Sequence, residues 1–394
     1  MALYHFRSNL CGISYSPHFS IHHPFILIHQ KDQLKSINDL PLELFQAILL
    51  RVQAKDLFRL KFVSKLWFSL ISDSNFVELH LHHSSGFAPS LFFNKNNEEA
   101  RLVDLHALYN EDEEILHAAI KDVPLPFGNN KKERDSYYFV VPGSYRGFVF
   151  LHREPGFIII WNPVTGSCKK VSHGYSIKKD AILYGVAYDA SNDDYLIVIA
   201  AKRYRVDCFS LRTNSWIKID AVFPFPISIL RQCLFYSPGL FFNGAIHWMI
   251  IQDSCYKDML IFDVKERSFS TMALPEKDHV GTLSDLVILG ECLALYLLSY
   301  DNGKKTKIWV MKEYKVQSSW TLYQIHNICM IPLVLSSNGS DFIMQDTKGD
   351  KIYKCNLEGE LLQCFQLFSD VIHGAFFRRC TVYTQSLATL PNNN

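Results

Sequence analysis

The sequence predicts a mainly β protein, in which a small N-terminal three-helix unit is followed by a β-propeller of about six blades. Three observations lead there. Aromatic residues make up 14% of the 394 residues, with 29 Phe and 19 Tyr, and rings pack well on a pleated surface. A strand–turn–strand pattern recurs through the second half at a spacing of 44–53 residues, about the length of a four-stranded blade. Before it, residues 37–83 carry apolar positions at helical spacing.

Composition narrows the function classes. Hydrophobic residues are 48% and charged residues 20%, so the chain has enough apolar surface to fold. The 40 basic and 39 acidic residues leave a formal charge of +1, without the Lys and Arg excess that phosphate neutralisation calls for. No nucleic-acid partner is expected. The longest apolar runs, Cys292–Leu298 and Tyr195–Ala201, have seven residues. A membrane helix needs about 20, so no membrane partner is expected either. The ten Cys are scattered and form no C-x-x-C pair, which removes the usual zinc and dithiol motifs. They read as buried free thiols of a reducing compartment, the cytoplasm and/or the nucleus. There Asn338-Gly339-Ser340 has no meaning as a glycosylation pattern.

The elements follow in order. Residues 1–36 show neither helical nor alternating period and are expected to be a disordered leader, with the His22-His23 pair solvated. In residues 37–83, Asp39 suits a helix start and Pro41 its first turn, where a missing N–H costs nothing. Leu44, Ile48 and Val52 then recur every four residues as one apolar stripe. Ala54-Lys55-Asp56 breaks the stripe, and Asp56 can cap a second helix carrying Leu57, Leu60 and Val63. A third helix begins near Ser64, with Trp67, Leu70 and Ile71 on one face. Three such helices bury little on their own, so this unit needs a partner.

This stretch resembles the F-box. The resemblance rests on Leu40-Pro41-x-Glu43-Leu44, Ile48-Leu49, Lys55-x-Leu57, Val63-x-Lys65-x-Trp67, Leu70-Ile71, Phe76 and His80-Leu81. Gln53 stands where a Pro commonly follows the first helix, and Ser64 where a Cys usually precedes the Lys. The resemblance implies docking on the Skp-type adaptor of a cullin-based ubiquitin ligase. It also implies the adaptor contacts: Leu40 and Pro41, then Leu44 and Ile48, Leu57, and Val63 and Trp67. Residues such as Leu60, Val63 and Trp67 also suit a purely internal role, holding the helices together.

Residues 84–388 are expected to form the propeller domain and 389–394 a disordered tail. Ser90–Phe93 and Ala100–Leu105 read as strands around the turn Asn94–Asn97, and Glu111–Glu114 as a solvated stretch. From residue 143 the repeat is visible. Each copy has an apolar strand ending near Trp161, Phe209, Phe262, Trp309 or Tyr353, markers spaced by 48, 53, 47 and 44 residues. In the first three, a polar turn follows and the next large or buried residue comes seven positions later, at Cys168, Trp216 and Phe269. Before each hairpin lies another apolar segment: Phe148–Leu151, Tyr195–Ala200, Ala245–Ile250, Leu293–Leu298 and Asp341–Met344. Five repeats leave over the strands near 90–105 and the segment Cys380–Leu387, which are expected to share a closing blade. A seventh blade within 106–142 is the alternative.

This half is similar to the F-box-associated interaction domain of plant F-box proteins. The similarity rests on Ile160-Trp161-Asn162-Pro163, Tyr184-Gly185-x-x-Tyr188-Asp189 with Asp193-Asp194-Tyr195, Phe242-Asn243-Gly244-Ala245-x-His247-Trp248, Ile308–Tyr314 with Ser319-Trp320, and Val382–Leu387. It implies a substrate receptor whose propeller holds a target protein, of unknown identity, while the F-box ties it to adaptor and cullin.

His247 reads as a strand histidine satisfied by backbone groups, and Asp189, Asp193 and Asp194 as turn caps in place of calcium ligands. Lys312-Glu313 is expected to shape a long hairpin loop. No catalytic residue, cofactor or metal is assigned: G-x-S-x-G, H-E-x-x-H, G-x-x-x-x-G-K and G-x-G-x-x-G are all absent. A receptor needs none, since it acts by concentrating substrate lysines near the conjugating enzyme. The alternatives are a propeller binding module acting outside degradation, or an enzyme on a kelch-like propeller. The target is expected on one rim, with Ser176–Asp180, Arg203–Arg205, Phe223–Pro226, Tyr256–Asp258 and Ser299–Lys305 as candidate loops.

Overall fold

The structure, a computed structural model, describes residues 41–83, 89–96, 98–109, 119–126, 139–153, 156–173, 183–201, 205–224, 238–252, 255–279, 283–299, 304–326, 328–336, 339–368 and 380–390. The expected leader, Leu40, Glu111–Glu114, the 176–180 loop, Arg203-Tyr204, Phe225-Pro226 and the centre of the 299–305 loop lie outside these residues. Two compact units are distinguished, Met1–Phe45 and Gln46–Asn394.

Helix α1 spans Leu42–Leu49, and Pro41 precedes it, its carbonyl accepting the Phe45 N–H at 3.0 Å. Its buried positions are Phe45 and Leu49, one helical turn apart. Helix α2 (Ala54–Leu60) starts at Gln53, earlier than the expected cap at Asp56, which sits in the first turn. Helix α3 spans Lys65–Ser72 and is capped by Ser64, whose Oγ accepts the Trp67 N–H at 3.3 Å. Among the described residues the helical region has four helices where three were expected: Asp73 breaks α3, its carboxylate accepts the Phe76 N–H at 3.0 Å, and α4 runs Ser74–His83. His80, on α4, is buried and donates from Nε2 to the Val52 carbonyl at 2.8 Å.

Among the described residues that follow, the strands form six four-stranded antiparallel sheets. Blade one joins β1 (Ser90–Asn94), β2 (Glu99–Asp104) and β3 (Ile120–Pro124) to the last strand, β24 (Cys380–Tyr383), which pairs with β1. Blade two is β4 (Phe139–Tyr145), β5 (Phe148–Arg153), β6 (Phe157–Trp161) and β7 (Cys168–Ser172). Blade three is β8 (Leu183–Asp189), β9 (Asp194–Ala201), β10 (Arg205–Ser210) and β11 (Ser215–Ile219). Blade four is β12 (Leu240–Phe242), β13 (Ala245–Gln252), β14 (Cys255–Asp263) and β15 (Ser268–His279). Blade five is β16 (Leu283–Leu289), β17 (Cys292–Ser299), β18 (Lys305–Met311) and β19 (Trp320–His326). Blade six is β20 (Met330–Leu335), β21 (Asp341–Asp346), β22 (Lys351–Asn356) and β23 (Leu361–Gln366).

The first strands touch in sequence, β24 to β4, β8, β12, β16, β20 and back to β24, which closes the ring. All five repeat markers lie on the third strand of their blade, and the five preceding apolar segments on the second. The seven-residue spacing is the hairpin register: Trp161 opposes Cys168, Phe209 opposes Trp216 and Phe262 opposes Phe269. The described residues of 106–142 supply β3 and the start of β4, so they hold no seventh blade.

Each of the six junctions between blades has its own apolar cluster. Successive residues of a second strand serve opposite junctions. Ile197 and Ile199 pack toward blade two, while Leu196, Val198 and Ala200 pack toward blade four. A strand buried on both faces has no polar alternation, which is why β9 and β17 read as unbroken apolar runs. Outer strands are wetter. Cys168 on β7 and Cys364 on β23 are exposed, which corrects the expectation of buried thiols, whereas Cys208 and Cys355 are buried. The ordered chain also continues past Ala388: Leu390 is buried in the junction of blades two and three, and its N–H reaches Ser167 Oγ at 2.9 Å. No described helix is long and apolar enough to cross a membrane.

Candidate functional site

Helix α1 places Leu42 and Leu44 outward, 49% and 55% exposed, because the other side of the helix is turned inward through Phe45 and Leu49. Pro41 is exposed beside them and Ile48 is half-buried. Between α2 and α3 the chain turns through Phe62 and Val63, 76% and 59% exposed. Leu66 and Phe68 then project from α3, while Trp67 and Ile71 point inward. Leu57 is fully buried and Trp67 nearly so. Of the expected adaptor contacts, Pro41, Leu44 and Val63 are thus presented to solvent, Ile48 partly, and Leu57 and Trp67 serve the helical core. Leu40 lies outside the described residues.

Leu42, Phe62, Leu66 and Phe68 were missed by the sequence reading. A signal existed: Lys61–Phe68 carries apolar residues on both sides of the inward stripe, more than one buried face of a short helix uses. Phe62, Val63, Leu66 and Phe68 thus leave four apolar side chains exposed within seven positions. The two departures from the F-box pattern leave the backbone intact. Gln53 has φ −61° and ψ 145°, angles a Pro would adopt, and Ser64 supplies a cap that a Cys would supply poorly.

On the propeller, each tempting polar residue is accounted for. His247 is buried in β13 with Nδ1 3.1 Å from the Leu240 carbonyl and Nε2 2.9 Å from the Tyr314 hydroxyl. Burial lowers its pKa to about 4, so the ring is neutral, with Nδ1–H donating and Nε2 accepting. Asp189 accepts from Ser191 N at 3.1 Å, Asn192 Nδ2 at 2.9 Å and Arg267 Nη2 at 3.0 Å. Asp194 accepts from Arg212 N at 2.8 Å, and Asp193 from the Tyr188 hydroxyl at 2.6 Å. Asp189 caps its own turn through Ser191 N and Asp194 the turn after β10 through Arg212 N, whereas Asp193 meets a side-chain hydroxyl; no cluster of three or more metal-binding side chains occurs among the described residues. Lys312 and Glu313 shape their hairpin through Ser319, whose carbonyl accepts from Lys312 N and whose Oγ accepts from Glu313 N.

A second histidine pair escaped the sequence reading because its members lie 21 positions apart, His152 on β5 and His173 just past β7. His152 and His173 stack with centroids 5.3 Å apart, and their Nε2 atoms lie 3.2 Å apart, within hydrogen-bond reach. Burial lowers both pKa values, His152 to about 3 and His173 to about 4.

Ring closure has its own polar device. Asn162, fully buried after β6, donates from Nδ2 to the carbonyls of Ser386 at 3.0 Å and Ala388 at 2.8 Å, and its Oδ1 accepts the Val164 N–H at 2.9 Å. Ser386 Oγ donates to the Arg146 carbonyl at 3.1 Å. The chain after β24 is thereby tied to blade two.

Comparison with known proteins matches both halves. Residues 37–79 match the F-box domain, and residues 147–385 match the F-box associated beta propeller domain. F-box protein CPR1 of Arabidopsis thaliana is 28% identical over 316 residues, covering 72% of this chain and 71% of its own. An F-box/kelch-repeat protein of the same plant is 26% identical over 347 residues, covering 82% of this chain and 90% of its own.

Proposed function

This chain belongs to the F-box-associated β-propeller family, and from that premise we propose that it is the substrate-recognition subunit of a Skp–cullin–F-box ubiquitin ligase. The helical segment binds a Skp-type adaptor, and through it cullin. The propeller binds a target protein on one rim and promotes its ubiquitination. The observation that carries this reading is the outward placement of Leu44, Phe62, Val63, Leu66 and Phe68. A free-standing helical cap would turn such residues inward; a docking segment leaves them for a partner.

The chain contributes binding and proximity and no reacting group, working in the cytoplasm or nucleus. It holds the target so that its lysines see a high effective concentration of charged conjugating enzyme.

Co-purification with a Skp-type adaptor tests the reading. The full chain is expected to capture the adaptor, and Pro41→Ala/Leu44→Ala to lose capture while keeping its melting temperature, since both side chains are exposed. A folded wild-type chain that captures no adaptor would sink the proposal and leave a propeller binding module.

A further inference from the structure

Arg146 lies in the turn between β4 and β5, yet its side chain is only 16% exposed. The guanidinium carbon stands 4.4 Å from the centroid of the Tyr188 ring on β8. Arg146 also hydrogen-bonds Tyr195 on β9. Beside it, Tyr145 packs against Tyr188 and against Phe241 on β12, with centroids 5.7 and 4.9 Å apart. This aromatic cage comes entirely from the propeller. It fixes the guanidinium in place through stacking, but ring faces do not neutralise a desolvated cation.

The carboxylate that meets the cation comes from elsewhere in the chain. Glu78, on helix α4, forms an ion pair with Arg146 Nη2. Its other oxygen lies 3.1 Å from His82 Nε2 on the same helix. Glu78 is 46% exposed, so its side chain reaches the cage from solvent. One partner is packed among rings and largely desolvated, and the other is half-exposed on its helix.

We infer that Arg146 is a positioning residue: the cage on blades two, three and four presents one fixed guanidinium to Glu78, and this clamp sets the pose of helix α4 against the propeller. Arginine suits the task because its planar group both stacks on tyrosine and offers a fork of donors to a carboxylate. Resting on the receptor reading above, the clamp then governs which lysines come within reach of the conjugating enzyme. A pinned helix α4 restricts transfer to a narrow set of lysines; a released one spreads it.

Hydrogen exchange on the full-length chain tests the clamp. Glu78→Ala is expected to speed exchange of the α4 amides, Ser74–His83, by about fivefold, the scale of one partly exposed ion pair. Arg146→Lys, which keeps the charge but loses the fork and the stack, is expected to act likewise. Glu78→Asp recovers part of the protection. The propeller's melting temperature stays unchanged in Glu78→Ala. Unchanged α4 exchange in Glu78→Ala and Arg146→Lys would overturn the clamp. In the reconstituted ligase, Glu78→Ala is expected to keep adaptor capture and broaden the set of self-ubiquitinated lysines seen by mass spectrometry; an unchanged set would overturn the positioning role. Exchange is read without the adaptor, so a wild-type chain that shows the clamp but captures no adaptor sinks the receptor reading alone.

Discussion

Replacing Asn162 by Ala removes the side chain that ties the C-terminal segment to blade two. Its three shortest hydrogen bonds go with it, those to the Ser386 and Ala388 carbonyls at 3.0 and 2.8 Å and that from Val164 N at 2.9 Å, together with longer ones from Thr165 N at 3.4 Å and the Tyr383 hydroxyl at 3.5 Å. Each is worth about 1 kcal/mol net, and buried groups left without a partner cost up to about 3. The Ser386 backbone is buried where water does not replace Nδ2, so the total is about 3–4 kcal/mol. A propeller of roughly 300 residues unfolds with an entropy near 0.6 kcal/mol per kelvin, so melting should fall by about 5–6 °C. Calorimetry of the wild type, Asn162→Ala, Ser386→Ala and the double variant measures it. Because Ser386 Oγ holds the same segment through the Arg146 carbonyl at 3.1 Å, the two losses should be non-additive. A melting shift of less than about 1 °C for Asn162→Ala would refute the reasoning, since three buried bonds cannot be lost at so small a cost.

Other outcomes follow from the same contacts. Gly147 has φ +85°, and a Cβ there would stand 2.0 Å from Ser386 Oγ, so Gly147→Ala should destabilise by at least about 2 kcal/mol in urea unfolding. His152, His173 and His247 are held neutral by burial, with pKa values of about 3, 4 and 4, below the unfolded value near 6.5. The unfolded chain then binds more protons than the folded one between those values. Stability should be full above about pH 7 and fall from pH 6.5 toward 4, by at most about 1.4 kcal/mol per pH unit for each histidine. Urea unfolding at pH 5 and 7 checks this; equal stabilities would contradict it, and His247→Gln should flatten the slope. Asp122 acts in a different window. Hydrogen bonding from Arg101 holds its pKa at about 2, so its contribution is lost only below about pH 4. Ser64→Ala should cost the helical segment about 1 kcal/mol through loss of the α3 cap, read as faster exchange at Trp67 N.

Much of this architecture was legible because blades repeat. Trp161, Phe209 and Phe262 mark third strands, and the same seven-residue offset to Cys168, Trp216 and Phe269 recurs because a short turn dictates the register. The two ends of the propeller were legible by elimination, as strands left without a blade. The adaptor surface was legible only as a motif. A stripe such as Leu44, Ile48, Val52 states that these residues share a face, not whether that face turns inward. In the fold Phe45 and Leu49 take the interior and Leu44 faces water.

Local chemistry therefore determined the strands, the turns, the helix start at Ser64 and the blade count, because periodicity and turn preference act over a few residues; the first helix begins at Leu42, after Pro41 and not with Pro41 in its first turn. Only tertiary structure decided which side chains meet across the chain. Asn162 finds Ser386 more than two hundred positions away, His152 finds His173 within blade two, and Arg146 finds Glu78 on a helix. Such pairs leave no period in the sequence, since the distance between their members is set by ring closure and packing and not by the spacing along the backbone.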